Sequence, residues 1–200
     1  QIFGRELWCS DGTAIGTIHV KDINIGADDS SPVALIADTG SNSVYFSADD
    51  GRSGPELWKT DGSISGTQLV KDIYPGQQGS SIRQMVQLGS TIIFSANHPT
   101  YGVELWKTDG STTGTTLIAD IHPSGSSAPI LATSEILGSA LYFAASNGST
   151  GIELWQTDGT AVGTILAADI NPGPASSTPL FLHRNGSSLF FAATGSTSKG

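Results

Sequence analysis

An eight-residue phrase recurs four times in this chain of 200 residues, and it limits how the chain can fold. ELWKTDGS occurs twice, and the looser copies ELWCSDGT and ELWQTDGT complete the set. The four copies lie at residues 6–13, 56–63, 104–111 and 153–160. Their tryptophans, which follow one another at intervals of 50, 48 and 49 residues, are Trp8, Trp58, Trp106 and Trp155. So regular a period is the signature of a repeat architecture, in which each unit packs against its neighbours.

Each repeat contains four strand-like segments. In the repeat that contains Trp155, a modest strand ends at Leu137 and a glycine turn leads to the apolar segment 140–145. The segments 152–157 and 164–170 then flank an Asp-Gly loop. The last two are rich in β-branched or aromatic residues, as strands are, and Asp-Gly favours a hairpin turn. No stretch shows a sustained helical period. The sequence therefore predicts four antiparallel strands per repeat, in hairpin order.

A four-stranded unit of this length is typical of a β-propeller blade, whose repeats run roughly 40 to 50 residues. The sequence therefore predicts an all-β chain that forms a single β-propeller domain over residues 1–200. A β-solenoid is the alternative, although its coils are usually shorter. The order of segments resembles a kelch-type blade, and by that analogy residues 81–88, 130–137 and 178–184 line the channel while 67–73 forms part of a rim.

The positions of the repeats predict how the blades are divided. One blade is expected to be split between C-terminal strands within 178–193 and N-terminal strands within 5–22. Joining these strands would remove exposed sheet edges, which favours a closed four-bladed ring. An arc of a larger propeller, or part of a long tandem array, is the alternative.

The repeated phrase also carries a family resemblance. A Gly-Thr pair follows each Asp-Gly at a fixed distance, and KDI or ADI comes next. The pattern resembles the ELWxxDGT repeat of predicted secreted or surface proteins, and it covers nearly the whole chain. This resemblance implies an extracellular protein built of repeats, and it implies no catalytic residues.

Charge and cysteine content exclude several classes of partner. The net charge is −9 and the pI is near 4.6, whereas binding to nucleic acid or to anionic lipid needs clustered Lys and Arg. No apolar run approaches the length of a membrane span, and no signal peptide opens the sequence. Nucleic acid and membrane insertion are therefore not expected. A single cysteine allows no internal disulfide.

Most residues of the phrase have a structural interpretation. We expect the tryptophans to pack one repeat against the next. Each glutamate, at positions 6, 56, 104 and 153, is expected to accept backbone N–H or Thr hydroxyl bonds from the next blade, because catalysis normally needs an asymmetric site. The aspartates before glycine are expected to cap turns. Serines of the loops, as in GQQGSS and SGSSAP, are expected to be solvated turn formers.

The loops between the second and third strands differ among the repeats, so we expect binding residues there. They read DDGRSG (49–54), NHPTYG (97–102) and SNGSTG (146–151). His98 and Tyr101 are candidates to stack on a sugar ring or on a partner side chain. Asp49 and Asp50 are candidates to hold calcium, although no D-x-D-x-D-G spacing is present in the sequence. No other cofactor is expected. The histidines show no metal-binding pattern.

Three residues are candidates for modification. Cys9 stands where the other copies have Lys or Gln, so its thiol is expected to face solvent and to be able to form an intermolecular disulfide. An accidental small residue is the alternative. Asn147 and Asn185 begin N-x-S sequons, which are glycosylation acceptors in secreted eukaryotic proteins, and Asn-Gly is also a favoured hairpin turn.

These features predict a non-catalytic protein, secreted or at the cell surface, that binds glycans or extracellular proteins through its loops. The alternative is a glycosylated building block of an extracellular filament, wall or matrix, which would associate with itself or with tandem neighbours. An enzyme is the least favoured class, because no asymmetric cluster of polar residues appears in the sequence.

Overall fold

The structure, a computed structural model, describes residues 3–195, where the chain forms sixteen strands and no helix. The strands are β1 (Leu7–Cys9), β2 (Ile18–Lys21), β3 (Val33–Ala37), β4 (Val44–Asp49), β5 (Pro55–Thr60), β6 (Gln68–Lys71), β7 (Met85–Leu88), β8 (Thr91–His98), β9 (Gly102–Thr108), β10 (Thr116–Ala119), β11 (Ile130–Leu137), β12 (Ala140–Ser146), β13 (Ile152–Thr157), β14 (Ile165–Ala168), β15 (Leu180–Asn185) and β16 (Ser188–Ala192). Residues 3–195 accordingly hold no helix long and apolar enough to cross a membrane.

The strands form antiparallel sheets that follow the order of the chain. Three sheets have four strands each, β3 to β6, β7 to β10 and β11 to β14, and the pairs β1–β2 and β15–β16 form two-stranded sheets. The predictions of an all-β chain and of four-stranded antiparallel repeats are therefore confirmed. Within the segment 81–88, which was expected to line the channel, the strand covers Met85–Leu88.

The described residues fall into two compact units. The first runs to Met85 and includes Gly110–Thr115, and the second contains Val86–Asp109 and the chain from Thr116 onward. In the first unit, Trp58 shares a buried core with Phe46 of its own sheet and with Leu7, Val20 and Ile23 of the preceding repeat. The tryptophan therefore packs one repeat against another, as predicted.

The second unit has the same arrangement around Trp155. Its core combines Trp155 and Phe143 with Leu105, Ile118 and Ile121, which belong to the preceding repeat. The first strands β11 and β15 also lie in contact. The tryptophan, which recurs about every 49 residues, thus makes the same contact with the preceding repeat in both units.

The pairing of the second strand with the third is the same in all three complete sheets. A phenylalanine of the second strand lies opposite the tryptophan of the third, and the pairs are Phe46 with Trp58, Phe94 with Trp106 and Phe143 with Trp155. All three phenylalanines are fully buried. Because alternate residues of a strand share a face, this one pair fixes which residues of both strands point into the core.

Lysine side chains connect neighbouring repeats. Lys59 Nζ donates to the carbonyl of Gly110 at 2.7 Å, and Lys107 Nζ donates to the carbonyl of Gly159 at 2.8 Å. Both lysines follow the tryptophan of one phrase, and both acceptors are the glycine of the next phrase. Cys9 occupies the lysine position in the first repeat, and its side chain lines an apolar cavity of about 230 Å³ together with Gly62.

We therefore predict that Cys9→Lys stabilises the first unit. The new side chain would fill the cavity and donate to the carbonyl of Gly62, and a hydrogen bond of this kind contributes about 1 kcal/mol. Thermal or urea unfolding of the variant and of the parent chain measures the gain. Cys9→Met fills the cavity without a donor, so an equal gain in both variants would show that packing, and not the hydrogen bond, is responsible.

Candidate functional site

Each glutamate of the repeated phrase lies in a buried cluster with a serine of the segment that leads to the next sheet. In the first repeat, Glu6 Oε2 accepts hydrogen bonds from Ile23 N at 2.9 Å and from Ser30 Oγ at 2.6 Å. Glu6 Oε1 accepts a third bond from Ser30 N at 3.1 Å. We call this arrangement the Glu–Ser cluster.

The Glu–Ser cluster recurs with the same geometry. Glu104 accepts from Ile121 N at 3.0 Å, Ser127 N at 2.8 Å and Ser127 Oγ at 2.6 Å. The corresponding donors to Glu153 are Ile170 N at 2.8 Å, Ser177 N at 2.8 Å and Ser177 Oγ at 2.5 Å. The donors to Glu56 include Ile73 N at 2.9 Å, Tyr74 N at 3.0 Å and the side chain of Ser80.

The cluster corrects two expectations. The prediction that the loop serines are solvated is wrong for Ser80 and Ser127, which are 0% and 1% exposed. The second expectation was a threonine hydroxyl as donor to each glutamate, whereas the hydroxyl that donates to the glutamate carboxylate belongs to a serine. A buried carboxylate needs donors on both oxygens, and a serine supplies an N–H and an O–H from a single residue.

The segment that carries the serine also bonds to the next sheet in two of the repeats. Beside Ser30, Ser31 N donates to Arg5 O at 3.1 Å, just before β1, while Ser30 O accepts from Asp49 N at 2.9 Å, at the end of β4. In the second unit, Ser127 O accepts from Ser146 N at 3.0 Å, at the end of β12. In these two repeats the Glu–Ser cluster therefore lies where one sheet joins the sheet that follows.

The residue after the serine is strained in every repeat. Its φ angle is positive at four equivalent positions: Ser31 (46°), Ser81 (55°), Ala128 (46°) and Thr178 (48°). A non-glycine residue in this region costs on the order of 1 kcal/mol and persists only where its surroundings determine it. We infer that the bonds of the Glu–Ser cluster compensate for this strain.

Burial changes the acidity of these carboxylates. It raises the pKa of Glu56 to about 7, against the opposing effect of the amides of Ile73 and Tyr74 and the hydroxyl of Ser80. Burial likewise raises the pKa of Glu104. A raised pKa suits a general acid, but both side chains are fully enclosed, so no substrate reaches them. Their geometry is that of structural groups.

The aspartates before glycine cap turns, as predicted. Asp61 Oδ1 accepts from Ser63 N at 2.9 Å and from Ser63 Oγ at 2.6 Å, and Gly62 adopts φ of 88°. Asp11 and Asp158 make the same bonds with a threonine two residues on. These hydroxyl and amide donors lower the pKa of all three aspartates, because they stabilise the ionised form.

The loop 49–54 uses both of its aspartates to hold itself in shape. Asp49 Oδ1 accepts from Gly51 N at 2.7 Å, and Asp50 Oδ1 accepts from Arg52 N at 2.9 Å and from Ser53 N at 2.8 Å. One oxygen of each carboxylate is thus engaged by the loop. In the described residues no group of three or more His, Cys, Asp or Glu side chains is placed to hold a metal ion.

A polar cleft of about 350 Å³ opens beside this loop in the first unit. It is lined by Ile23, Asn24, Ile25, Asp50, Gly51, Arg52 and Trp58. Trp58 forms a largely buried wall, and within residues 3–195 its Nε1–H has no hydrogen-bond partner. Gly51 lets the loop approach Asn24, because a Cβ at Gly51 would lie 2.6 Å from Asn24 Oδ1. The cleft thus offers a carboxylate, a guanidinium and an amide beside an aromatic wall.

Of the side chains in this cleft, the sequence named only that of Asp50 as a candidate binding residue. Asn24 comes from the segment after β2, Arg52 from the loop and Trp58 from β5, so only folding brings them together. A signal for Asn24 was present, because the residue after Asp-Ile changes among the repeats, from Asn24 to Tyr74, His122 and Asn171. Asn24 and Asn171 donate to equivalent carbonyls, those of Asp29 and Ser176, so the asparagine also has a role in the fold.

The predicted aromatic pair lies together in the second unit. The rings of His98 and Tyr101 have centroids 4.8 Å apart, and His98 also lies 5.6 Å from Trp106. His98 Nδ1 accepts from Thr100 N at 3.1 Å. The two rings are tilted by 30° to each other, and both side chains are partly exposed. That they contact a ligand stays a prediction.

The candidate modification sites lie at the surface or close to it. Asn147 Oδ1 accepts bonds from the amides and hydroxyls of Ser149 and Thr150, which closes the loop 146–151. Asn185 is exposed at the end of β15, opposite Ser188. Cys9 has a free, exposed thiol. Whether these three residues are modified stays a prediction.

The fold of the chain is similar to that of known structures. No protein-family model matches the chain, and no curated protein matches it. A crystal structure of puromycin hydrolase matches with a TM-score of 0.59 at 15% identity, over 90% of this chain and 27% of the other. A crystal structure of a puromycin hydrolase mutant complexed with PGG gives 0.54 at 13% identity, over the same shares. The chain thus spans 27% of the length of these structures, and the likeness shows the fold alone.

The raised pKa of Glu56 predicts how stability depends on pH. The folded state holds the proton more tightly than the unfolded state, whose carboxyl keeps the ordinary value of 4.5. The contribution of Glu56 to the free energy of unfolding is therefore fully present below about pH 4.5 and is lost as pH rises to about 7. Melting temperatures between pH 5 and 8 should fall less steeply for Glu56→Gln than for the parent chain.

Glu135→Gln is the matched control, because it removes a carboxylate that belongs to no Glu–Ser cluster. Its pH dependence should match that of the parent chain. If Glu56→Gln and Glu135→Gln gave the same slope as the parent, Glu56 would not titrate in this range.

The Glu–Ser cluster also predicts the cost of losing its hydroxyl. Ser127→Ala removes the bond to Glu104 Oε2 and leaves a buried carboxylate oxygen with one donor fewer, which costs about 1 to 3 kcal/mol. Urea unfolding measures the loss. Ser124→Ala, in the exposed part of the same segment, should change the free energy of unfolding by less than about 0.5 kcal/mol. Equal stability of the two variants would contradict a structural role for the cluster.

Proposed function

We propose that this chain is a non-catalytic, extracellular binding module of β-propeller type, and that its site for saccharides is the cleft beside the loop 49–54. The four-stranded repeats would be the blades, and closure of four blades into a ring is the arrangement that we favour. Secretion or display at the cell surface accords with the resemblance to ELWxxDGT proteins and with the high content of short, polar loops.

The composition of the cleft carries this proposal. Asp50 and Arg52 supply an acceptor and a planar set of donors, Asn24 supplies an amide, and Trp58 supplies an apolar wall. Binding sites for small ligands commonly combine apolar or aromatic walls with a few fixed polar groups. A pyranose has hydroxyls around its rim and apolar C–H faces, so it matches such a site in both respects.

The rigidity of the cleft supports the same function. The amides of Arg52 and Ser53 hold Asp50 in place, and Asn24 Nδ2 donates to Asp29 O at 3.2 Å. Side chains held before the ligand arrives lose little freedom on binding. Asp50 and Asn24 are therefore held in place by turns of the scaffold before a ligand binds.

A glycan array followed by isothermal titration with the strongest-bound saccharide tests the proposal. Arg52→Ala removes the guanidinium from the cleft and should weaken binding at least tenfold, since a hydrogen bond to a charged group contributes about 1.5 to 3 kcal/mol. Arg83→Ala changes an exposed arginine outside the cleft and should bind like the parent chain. A silent array, or equal affinity of both variants, would contradict this site.

The structural building block remains the second candidate function. It is favoured by a specific observation: in each of the two compact units, the same tryptophan-centred core joins one repeat to the preceding one. A contact that recurs with each repeat can extend along a longer tandem array.

A further inference from the structure

The loop 49–54 has a counterpart in the loop 146–151, and together they show which polar groups the turn itself uses. Asp50 Oδ1 accepts from the amides two and three residues further on, at 2.9 and 2.8 Å. Asn147 Oδ1 holds the same place in the other loop and accepts from the corresponding amides at 2.9 and 3.0 Å. The turn therefore requires a side-chain oxygen at this position but not its negative charge.

Other groups of the cleft also recur outside it. A Cβ at Gly51 would lie 2.6 Å from Asn24 Oδ1, and a Cβ at Gly148 would lie 2.5 Å from His122 Nε2. In both places the glycine lets the loop approach the residue that follows Asp-Ile. The tryptophans of the next two repeats share the unpartnered Nε1–H of Trp58 within residues 3–195. These groups therefore belong to the repeat and do not by themselves select a ligand.

Arg52 is the polar residue of the cleft that has no counterpart in the other loops. Thr100 and Ser149 stand at its position, so neither of those loops carries a charge there. The side chain is exposed, and in the part of the chain that the structure describes its guanidinium forms no hydrogen bond or ion pair. The fold does not use this group, and its donors lie in one plane, available to a ligand.

Charges of both signs lie near the cleft, and the structure separates their roles. Both carboxylates of the loop are bonded within it, because Asp49 Oδ1 accepts from Gly51 N at 2.7 Å and Asp50 Oδ1 accepts from two amides. A second cation borders the aromatic wall, since Lys21 Nζ lies 5.8 Å from the centre of the Trp58 ring. The guanidinium is thus the charged group of the cleft that a ligand meets unpaired.

We propose that the saccharide bound in this cleft carries a carboxylate, as uronic acids do, and that Arg52 pairs with it. This inference rests on the proposed function and names the class of saccharide. A guanidinium matches a carboxylate with two parallel N–H···O bonds, and such charge-assisted bonds are stronger than those between neutral groups. An acidic saccharide should therefore bind more tightly than a neutral one of the same shape.

The net charge of the chain limits how many carboxylates the ligand can carry. At physiological salt, exposed charges more than about 8 Å apart are largely screened from each other. A single carboxylate against Arg52 is therefore governed by the charges of the cleft, whereas a dense polyanion would bring many more charges against a chain of net charge −9. The expected ligand is an isolated acidic sugar within an otherwise neutral saccharide.

Matched pairs of saccharides test this class of ligand. Uronate-containing oligosaccharides are placed on a glycan array beside the same oligosaccharides after reduction of their carboxylates to hydroxymethyl groups. The chain should bind the acidic member of a pair more strongly. Titration calorimetry with that pair should give affinities that differ by about tenfold or more, because hydrogen bonds to charged groups are the stronger ones.

Two substitutions taken from the loop 146–151 assign the effect to single residues. Arg52→Ser should bring both members of the pair to about equal affinity. Asp50→Asn keeps the oxygen that the turn requires and removes an opposing charge, so it should raise affinity for the acidic member. Arg52→Lys retains the charge without the planar donors and should keep only part of the preference. Melting temperatures, measured alongside, check that each variant folds.

The outcomes distinguish this inference from the proposal on which it rests. If the reduced oligosaccharides bound as strongly as the acidic ones, the preference for acid would be wrong and the saccharide site would stand. A preference for amino sugars would have the same meaning and would assign the selection to Asp50. A preference for the acidic member that survived Arg52→Ser would overturn the pairing with Arg52. An array silent toward every saccharide would contradict both proposals.

Discussion

The enclosed glutamate of each repeat is the interaction on which the rest of the structure depends. Its carboxylate receives donors from the residue after its own sheet and from a serine of the next segment, and in two repeats, at Ser30 and Ser127, that serine also bonds to the following sheet. A carboxylate in an apolar interior is costly unless its oxygens are bonded, so the geometry around it tolerates little change. The path of the chain out of each repeat follows from this requirement.

The same constraint explains why four copies of one phrase differ so little. Trp58 and Trp155 share cores with the preceding repeat, Lys59 and Lys107 reach the glycine of the next phrase, and Asp-Gly closes the turn between them. The tryptophan and the lysine of the phrase therefore each contact a second repeat. A substitution in one copy of the phrase therefore changes its contacts with the neighbouring repeat. An example is Cys9, which replaces the lysine of the other copies and lines a cavity.

Regularity leaves few positions for function, and these lie where the repeats diverge. The loop 49–54 and Asn24 form a cleft beside a tryptophan that the scaffold requires in any case.

The sequence by itself determined the all-β class, the four strands per repeat and the structural role of the Asp-Gly turns. Period, alternation and turn residues are local properties, and they act over a few residues. Only the tertiary structure decided that Ser80 and Ser127 are buried, because their burial depends on a glutamate 24 or 23 residues earlier in the chain. It also decided that Asn24, Arg52 and Trp58 share a cleft with Asp50. Contacts between distant segments depend on how the sheets pack, and no local pattern records that.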